Sequence, residues 1–368
     1  MTKKIRHVLG ISGGKDSAAL AIYMKNNCPD LDIEYYTCDT GKELDETYKL
    51  IDNLEVYLGK KITRLTAAEK SPELPFDHFL KMYGGFLPSS NSRWCTKKLK
   101  LEPFERFVGT DLVVSYVGIR GDEEREGYIS RKTNIQSIFP FRKNIWSEDV
   151  ISKILANNNI QILLELFDAI DAKGKTERIK EVLNQQLSMS FTQPQKLNLL
   201  LDLGVKEFNA LVFSFLKTTD YPLANENHFP LVNNEDILVR QDIFNILEES
   251  GVGVPAYYKQ VEYEVNGKKG AYSRSRSGCF FCFFQQKIEW IWLYEQHPEL
   301  FKNAQEYEKA GYTWMQDEKL EDLLKPERMN RIKSDFIKKT ENKSNKQSEY
   351  LLDILAEEEG IGCAACFI

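Results

Sequence analysis

Apolar runs and polar breaks alternate along the first part of the chain in a way that predicts strands separated by helices. His7 to Ile11 is a short apolar run that ends in Ser12-Gly13-Gly14-Lys15-Asp16-Ser17, and Ala18 to Met24 are good helix formers. A second strand is predicted over Ile33 to Cys38, running into Asp39-Thr40-Gly41, after which Leu44, Tyr48, Ile51 and Leu58 recur at helical spacing. Continuous apolar character predicts two further strands, Leu112 to Ile119 and Ile135 to Phe139, buried on both faces. Strands alternating with helices imply an α/β fold with a parallel, doubly wound sheet.

From Trp146 to about Pro222 the period changes to that of packed helices, carried by Ile154, Leu155, Leu163, Leu164, Phe167, Ile170, Ile179, Leu183 and the cluster Leu197 to Leu203. Helical patterning continues over Asp242 to Glu249. Gly251 to Pro255 breaks it, and Tyr257 to Ser277 predicts a hairpin turning at Asn266-Gly267. Ile288 to Leu293 and Leu300 to Tyr307 are again helical, and Glu341 to Glu349 is polar enough for a tether before a last helix. Four segments follow: an α/β nucleotide-binding domain over 1–145, a helical insertion over 146–230, a segment with a CxxC over 231–310, and a helical C-terminal region with a second CxxC over 311–368.

Composition narrows the class. The chain has 368 residues, 42% hydrophobic and 28% charged, with 12 Pro and 21 Gly, which argues against disorder or a collagen-like repeat. Its longest apolar stretches, such as Phe208 to Leu216, fall short of the roughly 20 residues a spanning helix needs, and the N-terminal residues lack a leader pattern, so no membrane partner and a cytoplasmic location are expected. The net charge of −6 gives no overall cationic field to collect nucleic acid, so any DNA contact must be local or made through partner proteins.

The candidate chemistry begins at the first loop. It sits at the carboxyl end of a strand and the start of a helix, where parallel sheets place ligands. Gly13 and Gly14 let backbone N–H groups approach phosphate oxygens, the helix start adds partial positive charge, and Ser12, Lys15 and Ser17 supply further donors. Neither the GxxxxGK[ST] nor the GxGxxG spacing is present.

Ser12 to Ser17 resembles the SGGxDS loop of the N-type ATP pyrophosphatases, the PP-loop enzymes. Asp39-Thr40-Gly41 with Glu46-Thr47-Tyr48, Arg93-Trp94-Cys95-Thr96 leading to Leu99-Lys100, and Gly118-Ile119-Arg120 followed by Glu123, Glu124 and Arg125 resemble the phosphoadenosine phosphosulfate reductase branch, nearest in kind to its DNA-phosphorothioation and phage-defence members. The resemblance implies ATP cleavage between the α and β phosphates in sulfur transfer, DNA modification or phage defence, with Lys15, Asp16 and Arg120 as catalytic candidates; reduction of adenylylsulfate or phosphoadenylylsulfate, and a nucleotide-gated non-catalytic subunit of a defence complex, are the alternatives. Ser12, Gly13, Gly14, Lys15, Asp16, Ser17, Thr37, Asp39, Thr40, Arg93, Lys97, Gly118 and Arg120 are the candidate nucleotide contacts. Mg²⁺ would be oriented by Asp16 or Asp39, and Arg93, Lys97 and Arg120 would clamp phosphate oxygens. An adenine nucleotide, a sulfur donor and, through partner proteins, DNA are the implied partners in a multi-protein system.

The cysteines leave two arrangements open. Cys279 and Cys282 form a CxxC among phenylalanines, with Arg274 and Arg276 just before it, a setting suited to thiolate ligation. In adenylylsulfate reductases of the same branch a Cys-Cys pair and a later CxxC ligate a [4Fe–4S] cluster. Cys95, Cys279 and Cys282 match three of those ligands, Trp94 replaces the fourth, and Cys363 or Cys366 would have to complete the set. Alternatively, Cys279, Cys282, Cys363 and Cys366 make a Zn²⁺ site of two CxxC pairs.

Overall fold

The structure, a computed structural model, describes residues 4–123, 132–308, 311–316 and 318–344. Its centre is a parallel sheet of β1 (Ile5–Gly10), β2 (Ile33–Asp39), β3 (Ile62–Thr66), β4 (Leu112–Tyr116) and β5 (Ile135–Ile138) in the order β3-β2-β1-β4-β5. The chain winds outward from β1 through β2 to β3, then returns to β1's other side with β4. The carboxyl ends of β1 and β4 therefore form the switch point where such sheets leave a crevice.

Strand alternation divides the sheet's side chains between two cores. Leu9, Tyr35, Val114 and Ile138 face one core, shared with the first helix, α1 (Lys15–Asn27), and with the second, α2 (Asp45–Leu58). Val8, Tyr36, Val113 and Ile135 face the other, closed by Phe104 and Val108. Both faces are covered, as the fully apolar strands require.

The helical stretch after residue 146 packs its apolar stripes onto the first of these cores: Leu163, Phe167, Leu183, Leu211 and Phe215 are continuous with it. A third core gathers Phe76, Trp94 and Leu99 from the first half of the chain with Tyr257, Phe281, Trp290 and Trp314 from the second. This core joins the CxxC segment to the first half of the chain.

Several boundaries differ from the sequence expectation, each for a local reason. The first helix begins at Lys15 rather than Ala18, because the loop closes within two glycines. The strand predicted to reach Ile119 stops at Tyr116, and Val117 to Arg120 bend over the start of α1. Strand β3 is an added edge strand. Only Ile62 is buried in it, and Thr63 and Arg64 face solvent, so no apolar run announces it. The hairpin is present as β6 (Val261–Val265) and β7 (Lys268–Tyr272), with positive φ at Asn266 (51°) and Gly267 (72°), as a two-residue turn of this hand requires. Glu341 to Ser344 continue the helix Pro326–Ser344 rather than opening a tether; the rest of that segment, the last helix and the second CxxC lie outside the described residues. No helix among the described residues is long and apolar enough to cross a membrane.

Candidate functional site

The loop Ser12 to Ser17 is built by its own side chains. Ser17 Oγ donates to Gly14 O (3.1 Å), accepts from Ser12 N (3.2 Å) and lies 3.1 Å from Ser12 Oγ. Gly13 has φ +73°, and a Cβ there would stand 2.2 Å from Thr47 Cγ2 on α2, so both its conformation and its surroundings demand glycine. Ala18 N donates to Gly14 O, which starts the helix directly beneath the loop and aims its first N–H groups at the crevice.

Electrostatics at the switch point centre on Asp16. Its Oδ1 accepts from Arg120 Nη1 (2.7 Å) and its Oδ2 lies 3.3 Å from Lys15 Nζ. Arg120 is fully buried and also meets Asp122 through Nε (2.8 Å) and Glu123 through Nη1 (2.8 Å). The Arg120–Glu123 ion pair is thus interior. Arg120 holds Asp16 and the loop after β4 in place, and three carboxylates engage the guanidinium expected to clamp phosphate. Gly118 explains the close approach of the two loops: a Cβ there would lie 2.8 Å from Asp16 O. Lys15 is 2% exposed and lies 4.9 Å from the centre of the Tyr258 ring.

The second segment converges on the same edge. Asp39, at the carboxyl end of β2, accepts through Oδ1 from Gly41 N (2.8 Å) and Tyr48 OH (3.0 Å), while Oδ2 has no partner among the described residues. Thr40 Oγ1 donates to Glu43 Oε1 (2.6 Å) and lies 3.2 Å from Cys279 Sγ. Burial pushes the Glu43 carboxyl above its ordinary value. Thr37 is buried within β2. The donor set suits Mg²⁺ at Asp39, which has a carboxylate oxygen to give, better than at Asp16, whose two oxygens already meet cations.

Arg93 and Lys97 are both exposed. Arg93 donates from Nε to Ser90 O (3.2 Å), and its guanidinium stacks 5.1 Å from the Phe284 ring centre, which Arg276 approaches at 5.5 Å. They sit where the chain passes from the short helix Trp94–Thr96 through a π-helical turn, Lys97–Leu101, into the helix Glu102–Val108. Such turns widen a helix and re-aim its side chains.

Cys95, Cys279 and Cys282 line one cavity of ≈ 50 Å³ together with Thr40, Phe281 and Trp314. Burial raises both Cys279 and Cys282, the former further through Glu43, which favours thiol over thiolate. Among the described residues no group of three or more His, Cys, Asp or Glu is arranged to hold a metal ion. The described thiols therefore do not by themselves form either the iron–sulfur or the zinc site. Cys363 and Cys366 lie outside the described residues, as do Glu124 and Arg125. Cys38 is buried, donates to Lys100 O (3.6 Å) and is pushed up to about 12 by burial, consistent with packing.

Tyr257, Tyr258 and Ser277 complete the loop's surroundings and were not legible as site residues. Tyr257 OH donates to Gly13 O (3.0 Å), Lys15 N donates to Tyr258 OH (3.4 Å), and Ser277 Oγ lies 2.6 Å from where a Cβ on Gly14 would stand. Their only sequence signal was an aromatic pair and a serine far from the loop.

Residues 6–169 match the phosphoadenosine phosphosulfate reductase domain. An uncharacterized protein of Methanocaldococcus jannaschii is 33% identical over 154 residues, 38% of this chain and 30% of that protein. The tRNA-specific 2-thiouridylase MnmA of Mannheimia succiniciproducens is 27% identical over 139 residues, 33% of this chain and 34% of the enzyme, and that of Haemophilus influenzae is 27% identical over 128 residues, covering 32% and 31%. The chain spans about a third of the length of the curated relatives it matches. The matched segment holds the sheet, the glycine loop and the Arg120 turn, so residues 6–169 are similar to a phosphoadenosine phosphosulfate reductase domain, the part of the chain that the PP-loop relatives also match.

Proposed function

We propose that the chain binds ATP with its terminal phosphates on the Gly13-Gly14 loop and cleaves it between the α and β phosphates, adenylating an acceptor for sulfur transfer in DNA modification or phage defence. The observation that carries this reading is the loop at the switch point. Its glycine at φ +73° closes a tight turn directly onto the first helix, whose N-terminus carries partial positive charge, and a buried lysine, Lys15, stands at the helix start. Lys15 would lower the charge of departing pyrophosphate, and the Arg120–Asp16 pair would fix where Lys15 points. Asp39 would hold Mg²⁺, which when bound would supply electrostatic stabilisation of the leaving group. No step passes through a metal cluster.

The test is incubation with α-labelled ATP and Mg²⁺, with and without candidate acceptors. AMP and pyrophosphate are expected, and Lys15→Ala should lower the rate by about 100-fold or more. ADP and phosphate as the products, or turnover indifferent to Lys15, would contradict the reading.

The thiol-lined cavity beside Thr40 favours a second reading, reduction of a sulfonucleotide by a thiol. Sulfite released from adenylylsulfate in the presence of a thiol reductant, and lost in Cys279→Ser, would select it over adenylation.

A further inference from the structure

The segment from the hairpin to the CxxC lies against the glycine loop and carries an unusual arginine. Arg274 N donates to Tyr257 O (2.9 Å), Tyr257 OH donates to Gly13 O (3.0 Å), and three residues on Ser277 touches Gly14. The Arg274 side chain is 1% exposed. Its guanidinium makes one hydrogen bond, Nη2 to Cys279 O (3.1 Å), and lies 6.0 Å from the Tyr257 ring centre. Nε and Nη1 are buried without an acceptor among the described residues, and no carboxylate there pairs with it.

The contrast with Arg120 is instructive. That guanidinium, equally buried, meets three carboxylates. A buried cation with no counter-charge is strongly unfavourable, and proteins keep such groups where a ligand supplies the missing charge. Arg276 and Lys100 add positive charge on the same side, since both, like Arg274, act on Cys282. Two buried, charged nitrogens that lack an acceptor among the described residues suit the oxygens of an oxyanion, and Ser277 Oγ, against Gly14, offers a further donor on the loop's side of the same segment.

We propose that Arg274 is the anion-binding residue of a second subsite, between the glycine loop and the thiol-lined cavity, that takes a tetrahedral oxyanion. That oxyanion is either the nucleotide phosphate nearest the sugar or a free sulfate or phosphate group of the acceptor. The assignment rests on the proposed function only in giving the glycine loop to the far phosphates. The loop and Arg274 would then hold the two sides of the bond that breaks.

The experiment is titration calorimetry of the full chain with pyrophosphate, AMP and inorganic sulfate, on the wild type, Arg274→Gln, Arg274→Lys and Lys15→Met, with thermal melting of each ligand-free protein. Arg274→Gln should weaken AMP or sulfate about tenfold or more and leave pyrophosphate within about twofold. Which of the two weakens identifies the source of the oxyanion. Ligand-free Arg274→Gln should melt no lower than the wild type, because an uncompensated charge has been removed. Unchanged affinity for both AMP and sulfate, with a lower melting temperature in both Arg274 variants, would overturn the proposal and leave a structural arginine. Should Arg274→Gln not fold, Arg274→Lys decides: weakened AMP or sulfate at constant pyrophosphate supports the subsite, and unchanged affinities overturn it. Pyrophosphate affinity that is absent, or indifferent to Lys15→Met, would count against the glycine-loop reading alone.

Discussion

At the scale of single residues, the site depends on positions where neither size nor charge can change freely. Gly13→Ala adds a Cβ 2.2 Å from Thr47 Cγ2 at φ +73°, so it should cost about 1–3 kcal/mol of stability and most nucleotide affinity together. Denaturant unfolding and ATP titration check the two effects separately. Asp16→Asn removes one of three carboxylates from Arg120 and the ion pair of Lys15. Breaking a buried pair on one side costs about 3–5 kcal/mol. An unfolding free energy within about 1 kcal/mol of the wild type would show that the pair is not the buried clamp described here. The loop's own residues were readable because glycine and lysine at that spacing have a specific physical use. Arg274 was not, since the sequence shows an arginine but not the lack of a carboxylate around it.

At the scale of elements, the apolar runs announced β1, β2, β4 and β5, and the edge strand β3 stayed silent because only Ile62 in it is buried. The hairpin was legible through Asn266-Gly267, where local backbone chemistry suffices. The π-helical turn at Lys97–Leu101 was not, because tertiary packing around Leu99 rather than local propensity selects it. In the helical insertion, Lys196 is buried and its Nζ donates to Leu183 O (2.7 Å) and Gln185 O (2.6 Å), closing the end of the helix Thr176–Asn184. Lys196→Met should lower stability by about 1–3 kcal/mol through the orphaned carbonyls, measured by chemical denaturation. Unchanged stability would mean that water replaces the amine.

At the scale of the whole molecule, distant segments meet in the third core, and this is what the sequence could not display. Trp314 stacks on Phe281 (4.8 Å between ring centres), donates from Nε1 to Ala304 O (2.9 Å) and walls the thiol cavity. Trp314→Ala should cost about 3–5 kcal/mol and speed alkylation of Cys279 and Cys282. Equal alkylation rates would place the thiols outside that wall. Glu318 ties the same region together through Arg328 and Lys287, and the Arg328 hydrogen bonds first, with Lys287, hold its carboxyl at about 2 against an ordinary 4.5. A lowered carboxylate adds stability that is complete above the unfolded value and is lost as pH falls toward about 2. Glu318→Gln should therefore remove on the order of 1 kcal/mol at neutral pH and flatten the acid limb of the stability curve below 4.5.

The central claim is that a triphosphate lies with its far end on the Gly13-Gly14 loop. Phosphorus NMR of α,β-methylene-ATP with Mg²⁺ tests it directly. The β and γ resonances should shift on binding to the wild type and return to their free positions in Lys15→Met. A shift confined to the α resonance, or β and γ shifts that persist without Lys15, would contradict the account.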